Sequence, residues 1–116
     1  MTLQPAYRVS VQVPPGHLQA VQDGICAVEP LQGGHYDRVM WIDAVGEEQF
    51  RPLPGAHPGY GRIGELAKVP SVRLVFVLPR DPERLARVIE AGIRPHHPWE
   101  VPAIFVDECL IWAPSA

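Results

Sequence analysis

The chain reads as an α+β domain of the ferredoxin-like type, a β-α-β-β-α-β sandwich in which an antiparallel sheet carries two helices on one face. Three observations lead there. Period-two alternation gives a strand near residues 7–13, and runs apolar at both parities give strands near 36–45, 71–78 and 102–112. Helical spacing of apolar residues gives two helices between the outer and inner strands. The length of 116 residues, 47% of them hydrophobic, fits one domain over residues 1–116 with a single packed core.

The first strand alternates Tyr7, Val9, Val11 and Val13 with Arg8, Ser10 and Gln12. Pro14-Pro15-Gly16 ends it, and Pro15 suits the first position of a helix. Leu18, Val21, Ile25 and Val28 then share one face of a helix over residues 15–28, closed by Pro30 and Gly33-Gly34. The second strand is expected at 36–45. Residues 46–69 form a long Gly- and Pro-rich excursion, with a short strand around Gln49-Phe50-Arg51. Residues 71–78 make the third strand, stopped by Pro79. Asp81 as N-cap, Pro82 at the first helical position and the stripe Leu85, Val88, Ile89, Ile93 define the second helix, ending near Arg94-Pro95. The last strand runs over 102–112.

Three of these strands carry aliphatic or aromatic residues at both parities. An antiparallel sheet with one solvated face alternates cleanly, so the second face needs a cover. The chain has no spare helix, and other copies of itself are the expected cover.

Net charge is -3, with 10 basic and 13 acidic residues, which argues against a nucleic-acid partner. The first residues show no charged leader or signal-like apolar core, and no run reaches the length of a membrane span. Cys26 and Cys109 sit in apolar surroundings and read as buried free thiols. The expectation is a cytoplasmic protein with no membrane partner. The 14 prolines, against an average of about 5%, fall at element boundaries and imply stiff connections.

Gly59-Tyr60-Gly61-Arg62-Ile63-Gly64 matches G-x-G-x-x-G, but no strand leads into it and Pro70 cuts short the stretch from Glu65 to Val69, so it reads as loop turns. His35, His97 and Glu100 are the candidate ligands for a divalent metal, the one cofactor expected. Their spacing is not a metal motif, and ordinary loop histidines are the alternative. Arg51 and Arg62 are the candidate anion-binding residues, with solvated rim charges as the alternative. No nucleophile constellation is present in the sequence.

Gly34-His35-Tyr36-Asp37, Phe50-Arg51-Pro52-Leu53-Pro54-Gly55-Ala56-His57-Pro58, Ile63-Gly64 and His97-Pro98-Trp99-Glu100-Val101-Pro102-Ala103 fall in order. Together they resemble the domain inserted in NGG-interacting-factor (NIF-three-like) proteins and its stand-alone relatives. The last segment is also similar to the H-P-Y-E-x-P segment of CutA-like proteins, with Trp99 in place of tyrosine and Val101 where an acid is usual. The resemblance implies the ferredoxin-like trimer of CutA-like and P-II proteins. It does not carry over a hydrolase activity, because the metal centre of the larger family lies in domains flanking the insert.

The expected role is therefore a non-enzymatic homotrimer responsive to a small ligand or a divalent metal, with the 46–69 loop and the His97-to-Pro102 segment lining clefts between subunits. A protein-interaction adaptor working through the loop, and a metal-dependent hydrolase with a subunit-shared site, are the alternatives.

Overall fold

The computed structural model describes residues 2–114. Four strands form one antiparallel sheet in the order β2-β3-β1-β4, where β1 is Thr2–Val13, β2 Trp41–Phe50, β3 Ala67–Pro79 and β4 Ile104–Ala113. A 3-10 turn at Pro15–His17 leads into helix α1, Leu18–Val28. Helix α2, Pro82–Arg87, continues as a π turn over Val88–Ile93 and a 3-10 turn over Arg94–His96. This is the expected ferredoxin-like order. Among the described residues, no helix is long and apolar enough to cross a membrane.

The core grows from the valine stripe of β1. Val9, Val11 and Val13 stand opposite Phe76, Leu74 and Val72 of β3, so the two central strands present one continuous apolar strip. Val21 and Ile25 of α1, and Val88 and Ile93 beyond α2, close over it. Asp81 caps α2 as the sequence implies: its carboxylate accepts from the Glu83 and Arg84 amides at 3.0 and 3.3 Å. Gly24 and Gly92 let the two helical segments approach. A Cβ on Gly24 would lie 2.5 Å from the Gly92 carbonyl oxygen and would also overlap the His96 ring.

One charged pair is enclosed in this layer. Glu29, only 2% exposed, accepts two hydrogen bonds from the Arg84 guanidinium at 2.8 and 2.7 Å and a third from the Leu31 amide. Burial opposes its charge. The Arg84 and Leu31 hydrogen bonds, with the positive charges of Arg84 and Arg87, outweigh burial and hold the carboxyl below its usual range. The Leu31 backbone is at φ 51, in the left-handed region, as is that of Arg38 at φ 56.

Three boundaries differ from the sequence reading. The second strand begins at Trp41, not at residue 36, because Arg38 breaks the extended chain and Gly33 and Tyr36 pair in a local turn. Residues 46–50, expected in the excursion, continue β2 and pair with 67–71 of β3. Pro70 is tolerated there because that half of β3 pairs with β2 only. β1 begins at Thr2, with Thr2–Pro5 facing Leu110–Ala113. The Pro5 carbonyl accepts from Arg80 at the end of β3, so the missing Pro5 N–H also faces the side where β3 stops. The chain thus extends two-stranded ribbons at both ends, and the molecule measures 54 × 28 × 22 Å.

The other sheet face is mixed. Phe105, Ile111 and Trp41 are exposed there in a single chain, and Val75 and Val77 are half-buried. Between them lie Arg8, Ser10 and Gln12, and the Arg73–Asp43 ion pair at 2.7 Å. Leu3, Leu110 and Trp112 reach beyond the helices and are also exposed. Cys26 and Cys109 are both free and half-buried.

The helix contact and the enclosed pair each predict an outcome. Gly24→Ala should lower stability by about 1–3 kcal/mol through overpacking, whereas Gly16→Ala, with nothing within 4 Å of the new Cβ, should change it little; equilibrium urea unfolding compares them. Because folded Glu29 titrates below its unfolded value, its contribution is complete above the unfolded pKa of about 4.3 and is lost as pH falls through the folded value. Arg84→Gln should cost about 3 kcal/mol near neutral pH and less near pH 4, where the unpaired carboxyl takes up a proton. An equal loss at both pH values would contradict the role given to the pair.

Candidate functional site: an aromatic cleft

The connection from Phe50 to Ala67 folds back at one end of the sheet and meets the segment that precedes β4. Gly59 permits the meeting, since a Cβ there would lie 2.8 Å from the Pro98 carbonyl oxygen. Gly61 and Gly64 take φ +86 and +81, as tight turns require. The glycine pattern of this loop therefore serves backbone geometry.

Trp99 is the centre of the junction. Its ring lies edge-on to Phe50 at 5.5 Å and to Tyr60 at 6.4 Å, and is tilted against His97 at 6.3 Å. Its indole N–H is buried and has no hydrogen-bond partner among the described residues. Around this cluster opens a cleft of about 380 Å³, within the range of small-ligand sites. Phe50, Pro52, Leu53, Tyr60 and Trp99 give its apolar wall, and Glu48, Arg51 and Glu100 its charges.

Both carboxylates are anchored through one oxygen. Glu48 Oε1 accepts from the Ser71 hydroxyl at 2.6 Å, and Glu100 Oε2 accepts from the His57 amide at 2.9 Å. A second, more open depression of about 430 Å³ lies alongside, lined by Tyr60, Arg62, Glu65, Leu66 and Lys68. Tyr60 belongs to both.

The expected site residues are thus divided. Arg51 and Glu100 share the aromatic cleft, whereas Arg62 lines the neighbouring depression with Lys68. His35 lies exposed in the Gly33–Tyr36 turn between α1 and β2 and lines neither. His97 is buried beneath the junction: one ring nitrogen, Nε2, is 2.7 Å from the Gln12 carbonyl, and the other, Nδ1, accepts from the Trp99 amide at 3.1 Å. These partners set the neutral tautomer with the proton on Nε2. Among the described residues of one chain, no group of three or more His, Cys, Asp or Glu is placed to hold a metal ion. Glu48, Tyr60 and Lys68 carry no local signal in the sequence, because strand pairing and the loop fold bring them to the clefts.

Burial lowers the His97 pKa, against the opposing influence of the Gln12 carbonyl and Glu48. The stability it contributes is therefore present above the unfolded pKa of about 6.5 and declines as pH falls toward the folded value. His97→Ala should cost about 2 kcal/mol at mildly alkaline pH by leaving Gln12 and Trp99 unpaired. The gap from the parent should narrow on acidification, and unfolding curves across this range measure it.

No protein-family model matches the chain. A Bacillus subtilis protein named GTP cyclohydrolase 1 type 2 homolog is 33% identical over 96 residues, which are 83% of this chain and 25% of that protein. Its Mycobacterium leprae namesake is 31% identical over 93 residues, 80% of this chain and 23% of that one. Among solved structures, a Bacillus cereus protein related to NIF3 superposes with a TM-score of 0.73 at 24% identity, covering 94% of this chain and 27% of that one. Bacillus subtilis GlnK superposes with a TM-score of 0.50 at 11% identity, covering 91% of this chain and 86% of that one, a likeness of fold. The chain is a relative of the NIF3-type proteins, and it spans about a quarter of the length of the curated relatives it matches.

Proposed function

We propose that this NIF3-like module is a non-enzymatic homotrimer that responds to a small ligand seated in the cleft between the 51–66 loop and the 97–101 segment. The cleft itself carries the reading: about 380 Å³ of concave space, walled by Phe50, Tyr60 and Trp99, with a few fixed charged groups. Reactions named for the relatives belong to proteins about four times as long, and the reading takes no reaction from them.

A divalent ion is the other ligand the reading accommodates. Within one chain both His97 nitrogens already have partners and Glu100 holds the His57 amide. An ion would therefore draw on donors such as His35 and Glu100 from different copies. The trimer rests on the resemblance to CutA-like and P-II proteins. Its physical motive is the apolar surface that one chain leaves bare at Trp41, Phe105, Leu110, Ile111 and Trp112.

Light scattering at micromolar concentration should give three times the 12.8 kDa chain mass, and Trp41→Asp should shift it toward the single chain. Tryptophan fluorescence should respond to a nucleotide or a divalent ion at micromolar concentrations. A clean monomer would contradict the assembly, and the absence of any binding below millimolar concentrations would remove the sensor reading.

A further inference from the structure

Rings and hydrocarbon make up most of the wall of the aromatic cleft, from Phe50, Pro52, Leu53, Pro58, Tyr60 and Trp99. The rings are crossed and not stacked. Phe50 and Tyr60 stand at 66° and 79° to the Trp99 plane, with centroids 5.5 and 6.4 Å from it. Crossed rings leave a corner for a rounded group, whereas a flat heterocycle needs a parallel face to stack on. We infer that the cleft takes a methylated ammonium ion, a small organic cation of the choline type, its head held by the three rings and by Glu48 and Glu100. This deepens the small-ligand reading above and rests on it.

The charge of the lining has the right sign. Aromatic faces are negative and attract a cation, most strongly where water is excluded. Glu48 and Glu100 add to that attraction, and each is fixed through one oxygen, by the Ser71 hydroxyl and the His57 amide, before any ligand arrives. Arg51 lines the same cleft and opposes a cation. It is exposed, however, and among the described residues it forms no ion pair with either carboxylate, so solvent screens it. The lining carries two negative charges against one positive, and a monovalent cation balances them.

The wall also favours methyl groups over N–H on that cation. A primary ammonium brings three donors, each needing an acceptor once water is removed. Proline, leucine and phenylalanine side chains supply none. A quaternary ammonium has no donor to satisfy, and its methyl groups can lie against carbon while its charge meets the rings and carboxylates.

Isothermal titration of the full chain with choline, tetramethylammonium, ethanolamine and glycine betaine tests this. Choline and tetramethylammonium should bind below millimolar concentration. Choline should bind at least about tenfold more tightly than ethanolamine, which has the same charge without the methyl groups; that is the scale of a desolvated cation–π contact. Glycine betaine should bind more weakly than choline, because its carboxylate enters a cleft that already holds two. Tyr60→Leu, at an exposed ring, should weaken choline about tenfold. Glu100→Gln, which keeps an oxygen for the His57 amide and removes the charge, should weaken it several-fold. Arg51→Gln should not weaken it. Circular dichroism and urea midpoints identify any variant that has failed to fold, and the comparison of the four ligands on the parent stands without the variants. Ethanolamine binding as tightly as choline would overturn the role given to the rings, and glycine betaine binding more tightly than choline would overturn the assignment to a cation. If a nucleotide or a divalent ion binds and no ammonium ligand does, this inference falls and the small-ligand reading stands. If none of them binds below millimolar concentration, both fall.

Discussion

The distance between the two helical segments governs much of the rest. Gly24 of α1 and Gly92 of the turn beyond α2 meet almost backbone to backbone, with no room for a Cβ on Gly24. That approach brings Val21, Ile25, Val88 and Ile93 down together over the valine stripe of β1 and its partners on β3. Buried aliphatic surface is the main favourable term in a domain of this size, and here it is concentrated on the two central strands. The same approach places Arg84 where it can meet Glu29, so a charge is enclosed at the edge of the core with three hydrogen bonds to compensate its desolvation.

Helices this short cannot cover a sheet in a molecule 54 Å along its long axis. The outer ends of the strand pairs therefore run past the core as ribbons, with consequences of opposite kinds. At the β1–β4 end, Leu3, Leu110 and Trp112 are left exposed. A two-stranded ribbon gains little stability alone, and its apolar side chains are the surface that assembly would bury. At the β2–β3 end the chain supplies its own cover: the 51–66 loop and the segment before β4 close around Trp99 and leave a cleft between them.

His97 links that cleft to the sheet. Its ring joins the Gln12 carbonyl at the end of β1 to the Trp99 amide, so the segment carrying Trp99 and Glu100 is tied to a central strand. Burial favours the neutral ring that makes both bonds. The histidine in the motif His97-Pro98-Trp99-Glu100 is thus a positioning group within one chain, and the aromatic and acidic residues after it line the cleft.

The order of elements, the core stripe and the cap at Asp81 are legible in the bare sequence, because each is a local pattern that the backbone period exposes: valines two apart, aliphatics three and four apart, Asp before Pro. The 46–69 stretch and the His97-to-Pro102 segment also stand out there as places of interest. Where β2 begins is a matter of three dimensions, because a left-handed Arg38 leaves no trace in alternation. So are the start of β1 at Thr2 and the passage of β3 through Pro70, since a proline is tolerated in a strand only where no neighbour needs its N–H. The site shows the same division. Arg51 and Glu100 are legible from their loops and do meet in one cleft, whereas Arg62 joins Lys68 in the next, and His35 stays outside both. Which residues share a cleft depends on non-local pairing between β2, β3 and the segment before β4, and a one-dimensional pattern contains the partners without containing their distance.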